Sequence, residues 1–197
     1  KRKMRLAIVG VTGMVGRVIL KVLAERNFFI TELIPVASEK STGQTITYLN
    51  QKHNIISLTD LLKLDVDLAL FSAGGDVSKI WAPKLVEKGC KVIDNSSYWR
   101  MSAKHKLIIP EINGHELSVK DMIIANPNCS TIQLVMALAP LHKKFNINRV
   151  VVYNFENYLI QVLLNILNNA RDELIKIGNH ERIIFLDTVE KDNEVEI

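Results

Sequence analysis

The chain has 197 residues, of which 48% are hydrophobic and 23% are charged, and its formal net charge is +4. Such a length supports one sizeable hydrophobic core, and such a composition excludes a disordered or fibrous chain. No stretch approaches the roughly 20 apolar residues of a membrane span, and the basic start lacks a cleavage pattern, so we expect a cytoplasmic protein without a membrane partner.

The charge is divided unevenly along the chain. Residues 1–153 contain 21 Lys and Arg against 12 Asp and Glu, a net of +9, whereas residues 154–197 contain 4 against 9, a net of −5. The basic residues are not clustered with aromatic ones, which argues against a nucleic-acid partner. This change in net charge after residue 153 indicates that the two parts of the chain differ in surroundings or in origin.

Strand-like and helix-like segments alternate in the first part of the chain. Short apolar runs predict strands at RLAIV (5–9), TELIPVAS (31–38), VDLALFSA (66–73), KVIDNSS (91–97) and MIIAN (122–126), with further edge strands at ITYL and NIISL. Helical periodicity predicts helices over 17–26, 77–88 and 130–143, and it places on one face of the first helix Met14, Val15, Val18, Val22 and Leu23. This alternation indicates an α/β fold with a doubly wound, mostly parallel sheet.

The pattern changes after Arg149. VVVYNF predicts one more strand, and residues 156–177 then predict a long amphipathic helix that ends at Gly178. RIIFLDTV and NEVEI predict a short hairpin at the end of the chain. The fold therefore consists of the doubly wound sheet with an appended helix and a short hairpin.

A glycine-rich turn follows the first predicted strand. Gly10, Gly13 and Gly16 have the spacing G-x-x-G-x-x-G and lead into a helix. Glycines in this context let the backbone approach a pyrophosphate, while the amides at the helix N-terminus face its charge. The turn is thus interpreted as a dinucleotide site, and a purely structural tight turn is the alternative.

The segment after the second strand bears on the choice of cofactor. A carboxylate here would bind the ribose diol of NAD, whereas a cation would accept the 2′-phosphate of NADP. ASEKSTG offers both, as Glu39 and as Lys40. We favour NADP because Lys40 and Ser41 together supply a charge and a hydroxyl.

The chain has two cysteines, Cys90 and Cys129, which show neither a disulfide framework nor metal-ligand spacing. We therefore expect a reducing compartment and no metal site. Cys129 lies at the predicted start of a helix, where the local amides stabilise a thiolate that can add to an aldehyde. The residues alone leave a nucleophile and a structural thiol equally open for Cys129, whereas Cys90 is interpreted as a small core residue.

Six segments taken together resemble the N-terminal part of aspartate-semialdehyde dehydrogenase, over about residues 3–152. The matching segments are VGVTGMVG, ASEKSTG, FSAGGDVS, VIDNSSYWR, IPEIN and ANPNCSTIQLVMALAPL. The resemblance implies a cytoplasmic, homodimeric enzyme that interconverts aspartate semialdehyde and aspartyl phosphate with NADP and phosphate, in lysine, threonine and methionine biosynthesis.

The resemblance also implies roles for individual residues. Cys129 is the implied nucleophile, and Arg100 and Asn128 are implied to bind phosphate or substrate. A Rossmann-type domain is implied to hold NADP through Gly10, Thr12, Gly13, Met14, Val15, Lys40, Ser41, Ser72, Ala73 and Gly74. Lys40 stands where the family usually has arginine, so the charge is kept but the bidentate fork is lost.

The resemblance stops after VVV. The family's substrate-binding glutamine, carboxylate-binding arginine and Gly-His base have no counterpart in this sequence, and none of the five histidines lies in a matching context. We therefore expect a truncated enzyme with little or no turnover. The domains are expected at 1–127 for NADP binding, at 128–153 for the start of the catalytic and dimerisation domain, and at 154–197 for an unrelated fragment.

The last segment has a different resemblance. LIQVLLNILNNARDEL is similar to the N-box helix of histidine kinase ATP-binding domains, and Asn165, Asn169 and Asp172 share one helical face. The later glycine-rich boxes of that family are absent, so we hypothesise a fusion of two unrelated coding pieces. The alternatives are an N-acetylglutamyl-phosphate reductase, against which NPNCSTIQ argues, and a non-catalytic nucleotide-binding module.

Overall fold

The computed structural model describes residues 4–150, 189–191 and 194–196. The chain divides into two compact units, one of which ends at Asn128 while the other begins at Cys129.

The first unit is built on a six-stranded parallel sheet with the spatial order β2-β1-β5-β6-β8-β7. Its strands are β1 (Arg5–Val9), β2 (Glu32–Val36), β5 (Leu68–Phe71), β6 (Lys91–Asp94), β7 (Lys106–Leu107) and β8 (Ile123–Ala125). A separate antiparallel hairpin consists of β3 (Thr45–Tyr48) and β4 (Gln51–Asn54). The predicted doubly wound, mostly parallel sheet is confirmed.

Four helices belong to this unit. They are α1 (Met14–Glu25), α2 (Leu58–Leu61), α3 (Gly75–Glu87) and α4 (Pro110–Asn113). The two long helices, α1 and α3, follow β1 and β5 directly, as the sequence predicts. The short elements α2, α4 and β7 were not predicted, because runs of two to four residues are too short to show a period.

Two hydrophobic clusters stabilise the sheet. One contains Ala7 and Val9 of β1 together with Ala82 and Leu85 of α3. The other contains Ile8 of β1 and has side chains of α1 packed against it. Because side chains alternate along a strand, neighbouring residues of β1 enter different clusters, and both faces of the strand are buried.

The predicted apolar face of α1 is wrong for four of its five residues and confirmed for Leu23. Met14, Val15, Val18 and Val22 are exposed, whereas the residues packed against the second cluster are Ile19, Leu20, Leu23 and Ala24. Gly16 sets this phase because a Cβ atom on it would lie 2.3 Å from the Gly10 carbonyl oxygen. The positions three, four and seven residues after Gly16 therefore face the protein. The sequence does not reveal this orientation of the helix, because apolar residues lie on both of its sides.

The prediction of additional edge strands was also wrong in part. ITYL forms β3, but β3 pairs with β4 and not with the main sheet. Leu49 and Asn50, both with positive φ, form the tight turn that folds the chain back into this hairpin. From NIISL, only Ile56 pairs with the main sheet, through a single bridge to Val36.

The second unit begins with α5 (Cys129–Phe145), which confirms the helix predicted over 130–143. Strands β9 (Val189–Lys191) and β10 (Glu194–Glu196) pair in an antiparallel hairpin. The second predicted hairpin strand is confirmed, and the first lies at the very end of RIIFLDTV, of which it includes only Val189. Of the strand predicted at 150–155, only Val150 is described, and it is not in a strand; the rest of that segment, the predicted helix at 156–177 and the kinase-like Asn165, Asn169 and Asp172 lie outside the described residues.

Within the described parts of the chain, no helix is long and apolar enough to cross a membrane. The same residues contain no group of three or more His, Cys, Asp or Glu side chains arranged to hold a metal ion.

Candidate functional site

The candidate site lies at the point where the order of the strands in the sheet reverses. β1 pairs with β2 on one side and with β5 on the other, so the loops that leave β1 and β5 run to opposite sides of the sheet. A crevice forms outside the carboxyl ends of parallel strands at such a point, and ligands of doubly wound folds bind there. Gly10 and Ser72 are the first residues after these two strands.

The loops after β1 and β5 are in direct contact. Gly10 has φ +90°, and a Cβ atom on it would lie 2.3 Å from the Ser72 carbonyl oxygen. The Ser72 amide donates to the Val9 carbonyl at 2.8 Å, and the Gly10 amide donates to the Val36 carbonyl at 2.9 Å. Only glycine satisfies both the backbone conformation and this approach.

Two helices start at this crevice without a capping side chain. The N-cap residues of α1 and α3 are Gly13 and Gly74, and neither provides a side-chain hydrogen bond to the first turn. The first turn of α1 also contains no acidic residue, whereas that of α3 contains Asp76. Backbone amides of a helix N-terminus carry partial positive charge and bind anions, so the start of α1 fits a phosphate group.

Lys40 and Ser41 lie at the same edge of the sheet, just after β2. They belong to a single 3-10 turn, Glu39–Ser41, in which the Ser41 amide donates to the Ser38 carbonyl at 2.9 Å. Lys40 and Glu39 are exposed and Ser41 is half-buried. Since β2 is the neighbour of β1, the turn stands beside the glycine-rich loop, as expected for residues that contact the ribose end of a dinucleotide.

Arg100 is fixed by the ends of two neighbouring strands. Its Nη2 donates to the Asn95 carbonyl at 2.7 Å, and its Nε donates to the Asn126 carbonyl at 3.0 Å. Asn95 follows β6 and Asn126 follows β8. Both asparagines also meet through their side chains, because Asn126 Nδ2 donates to Asn95 Oδ1 at 2.6 Å. The guanidinium is thus held at the carboxyl edge of the sheet with further donors left for an anion.

Contacts between side chains near Arg100 fix the conformation of the loop that carries it. The buried Asp94 carboxylate accepts from the Ser96 amide at 3.1 Å and from the Ser96 hydroxyl. Trp99 Nε1 donates to the buried Ser78 hydroxyl of α3 at 2.8 Å, and His105 packs on the Trp99 ring with centroids 4.5 Å apart. Burial and the nearby Lys104 charge lower the pKa of His105.

Sequence reasoning did not assign a role to Asn95. The sequence placed Asn95 inside a strand predicted over 91–97, whereas β6 ends at Asp94 and leaves Asn95 at the edge where ligands bind. The contact that gives Asn95 its importance is a backbone carbonyl bond to Arg100, and no pattern of residue types reveals it.

The two cysteines differ in their surroundings. Cys129 is exposed and is the first residue of α5 in the second unit, while Asn128 is exposed at the end of the first unit. Cys90 is 1% exposed, and its burial together with the Asp67 charge raises its pKa to about 12. The interpretation of Cys90 as a core residue is confirmed.

Comparisons with known proteins converge on one family. Residues 5–120 match the family model described as semialdehyde dehydrogenase, NAD binding domain. The aspartate-semialdehyde dehydrogenase of Aquifex aeolicus is 50% identical over 157 residues, which are 77% of this chain and 46% of that protein. That of Bacillus subtilis is 42% identical over 155 residues, which are 79% of this chain and 45% of that protein.

A solved structure agrees with these sequence matches. Aspartate semialdehyde dehydrogenase II of Vibrio cholerae, complexed with ASA, has a TM-score of 0.70 and 40% identity to this chain. The alignment covers 75% of this chain and 49% of the Vibrio chain. The chain therefore spans about half the length of the relatives that it matches.

Proposed function

Because the chain belongs to the family of semialdehyde dehydrogenase NAD-binding domains, we propose that it carries the NADP-binding domain and the nucleophile of an aspartate-semialdehyde dehydrogenase. The proposal assigns residues 1–127 to cofactor binding and residues 128–153 to the beginning of the catalytic domain. The reaction interconverts aspartate semialdehyde and aspartyl phosphate, and it needs phosphate as a second small-molecule substrate.

The crevice at the carboxyl ends of β1 and β5 is the observation that supports the proposal most strongly. Gly10 and Gly16 occupy positions where a Cβ atom would collide with backbone at 2.3 Å, so the turn is closed tightly beneath the start of α1. The pyrophosphate would bind to the turn residues Thr12, Gly13, Met14 and Val15. The other side of the crevice would be bordered by the loop after β5, which contains Ser72, Ala73 and Gly74.

NADP is the proposed cofactor because a cation stands at the end of β2. Lys40 would pair with the 2′-phosphate, and the Ser41 hydroxyl would donate to it. The neighbouring Glu39 is exposed in the same turn, so it can point to solvent without opposing the phosphate.

The proposed chemistry centres on Cys129. Its sulfur, as the thiolate, would add to the aldehyde carbon, and this carbon would then lose a hydride; when bound, the nicotinamide cofactor supplies the hydride acceptor. The product on the enzyme is a thioester. Attack of phosphate on the thioester carbonyl then breaks the carbon–sulfur bond, releases the thiolate and gives the acyl phosphate. Arg100 and Asn128 would bind the phosphate or the acyl phosphate.

Paired titrations of the purified full chain with NADPH and NADH test the cofactor assignment. We expect NADPH to bind more tightly, and Lys40→Ala to weaken NADPH about tenfold while changing NADH little, because only NADPH carries the 2′-phosphate. Lys52→Ala is the matched control, since Lys52 is an exposed lysine on β4 and is not among the proposed cofactor-binding residues. Equal affinities for the two cofactors, or equal effects of Lys40→Ala on both, would refute the assignment to NADP.

A further inference from the structure

A cavity lies between α1 and the β3–β4 hairpin, next to the glycine-rich turn, which contributes Val11 and Thr12 to its lining. Its volume is about 510 Å³, which falls in the range of small-molecule sites. It is lined by Val11, Thr12, Arg17, Leu20, Lys21, Ala24, Gln44, Thr45, Ile46, Thr47, Tyr48, Leu49 and Ile55. None of the Lys40, Ser41, Ser72, Ala73 or Gly74 positions proposed for cofactor binding contributes to its lining, and Thr12 alone belongs to both regions.

The cavity combines an apolar floor with a cationic rim. Leu20 and Ala24 of α1 pack against the same cluster that contains Ile55 and Tyr48, and these side chains form the floor. Arg17 and Lys21 are exposed and lie one turn apart on the side of α1 that lines the cavity. None of the described residues lining the cavity is acidic, although Lys21 Nζ lies 3.7 Å from Glu25 Oε1 in an exposed ion pair one turn further along α1.

The cavity wall also contains a polar group that lacks a protein partner. Tyr48 is 8% exposed, and its buried hydroxyl has no hydrogen-bond partner among the described residues. Burial raises the pKa of Tyr48, so the hydroxyl remains a proton donor at neutral pH. A buried donor without an acceptor destabilises the folded chain, and a group that accepts this proton would relieve the penalty.

The hairpin holds this wall in place. The Ile55 amide donates to the Gln44 carbonyl at 2.8 Å, and the Gly43 amide donates to the Ile55 carbonyl at 3.0 Å. These bonds close the base of the hairpin, and the turn at Leu49 and Asn50 closes its tip. The cavity is therefore bordered by two regular elements, which favours a preformed site.

We propose that this cavity binds a small organic anion whose apolar body lies on the floor and whose carboxylate meets Arg17 and Lys21 at the rim. A polar substituent on the body would accept from the Tyr48 hydroxyl. Of the proposed cofactor residues only Thr12 lines the cavity, so the anion and NADPH are expected to bind the same chain together.

The test uses 3-phenylpropionate and its neutral amide as probes of the full chain, followed by amide NMR shifts. We expect saturable shifts confined to α1 and the hairpin, weaker binding of the neutral amide, and a loss of affinity of about threefold to tenfold on Arg17→Gln with Lys21→Gln. Lys52→Gln, an exposed change on β4, none of whose residues lines the cavity, is the matched control and should leave the affinity unchanged.

Four results would overturn the proposal: no saturable shifts, equal binding of the amide, unchanged affinity after removal of both cations, or displacement of the probe by NADPH. Displacement would show that the cavity belongs to the cofactor site. Both cations are exposed, so their removal leaves the core intact, and circular dichroism checks that the variant is folded. NADPH titration without the probe reports separately on the proposed function.

Discussion

Gly10 and Ser72 approach each other so closely that a Cβ atom on Gly10 would stand 2.3 Å from the Ser72 carbonyl oxygen. This contact joins the loops after β1 and β5, the two strands that border the crevice. A side chain at Gly10 has to separate these loops. The glycine therefore links the stability of the sheet edge to the shape of the proposed cofactor site.

Gly10→Ala is expected to destabilise the chain more than Gly89→Ala does. Both glycines have a positive φ, but no atom lies within 4 Å of a Cβ built on Gly89. The backbone strain costs about 1–2 kcal/mol at either position, and the collision at Gly10 adds about 1–3 kcal/mol. Urea unfolding of both variants measures the difference, and equal free energies of unfolding would contradict the role given to this contact.

Arg100→Leu is expected to lower the free energy of unfolding by about 1–3 kcal/mol, because the Asn95 and Asn126 carbonyls lose a charged donor in a partly buried site. Arg26→Leu, an exposed change at the end of α1, should stay within about 0.5 kcal/mol. Denaturant unfolding monitored by Trp fluorescence provides both values. An Arg100→Leu variant with an unchanged free energy of unfolding would show that the guanidinium does not hold the ends of β6 and β8.

Thiol labelling is expected to separate the two cysteines. Cys129 is exposed and should react with iodoacetamide in the folded chain, whereas Cys90 is buried with a pKa near 12 and should not. Mass spectrometry of peptides from folded and urea-unfolded protein measures each site, and both should react after unfolding. Labelling of Cys90 at the rate of Cys129 in the folded protein would contradict the core role of Cys90.

Asp121 is expected to make stability depend on pH in the acid range. Its carboxylate accepts from the Ser118 amide at 2.6 Å and from Lys106 Nζ at 3.0 Å, and these bonds hold its pKa at about 2, below the ordinary value of 3.8. A lowered carboxyl pKa stabilises the fold above the ordinary value, and this stabilisation disappears as pH falls from about 4 to about 2.

Thermal unfolding between pH 2 and pH 6 tests this expectation. Asp121→Asn should be less stable than the parent near pH 6, and the difference should shrink towards pH 2. Asp65→Asn, at an exposed aspartate, serves as the control. A difference between parent and Asp121→Asn that stays constant over this range would show that the ionised carboxylate is not the stabilising form.

Five of the six strands of the main sheet could be predicted because each is a short apolar run followed by a helix or a turn, whereas the two-residue β7 was too short to show a pattern. The glycine-rich turn was equally accessible, since its spacing and its place between a strand and a helix are visible in the sequence. The face of α1 that packs against the protein could not be predicted from the sequence. Val18 and Val22 are as apolar as the residues that face the protein, and the close contact of Gly16 with Gly10 decides between the two faces.

The anchoring of Arg100 was also hidden. Two backbone carbonyls hold its guanidinium, and any residue types after β6 and β8 could offer them. The β3–β4 hairpin depends on positive φ at Leu49, a residue type that gives no turn signal. In this chain, the types of the residues did not predict the contacts and conformations of the backbone.

A crystal structure of the full chain with NADPH tests the central claim most directly, namely that the crevice between β1 and β5 binds this cofactor. The account predicts the pyrophosphate against the amides of Gly13 to Val15 at the start of α1, and the 2′-phosphate within hydrogen-bond distance of Lys40 and Ser41. NADPH bound at another surface, or bound here with its 2′-phosphate away from Lys40, would contradict it.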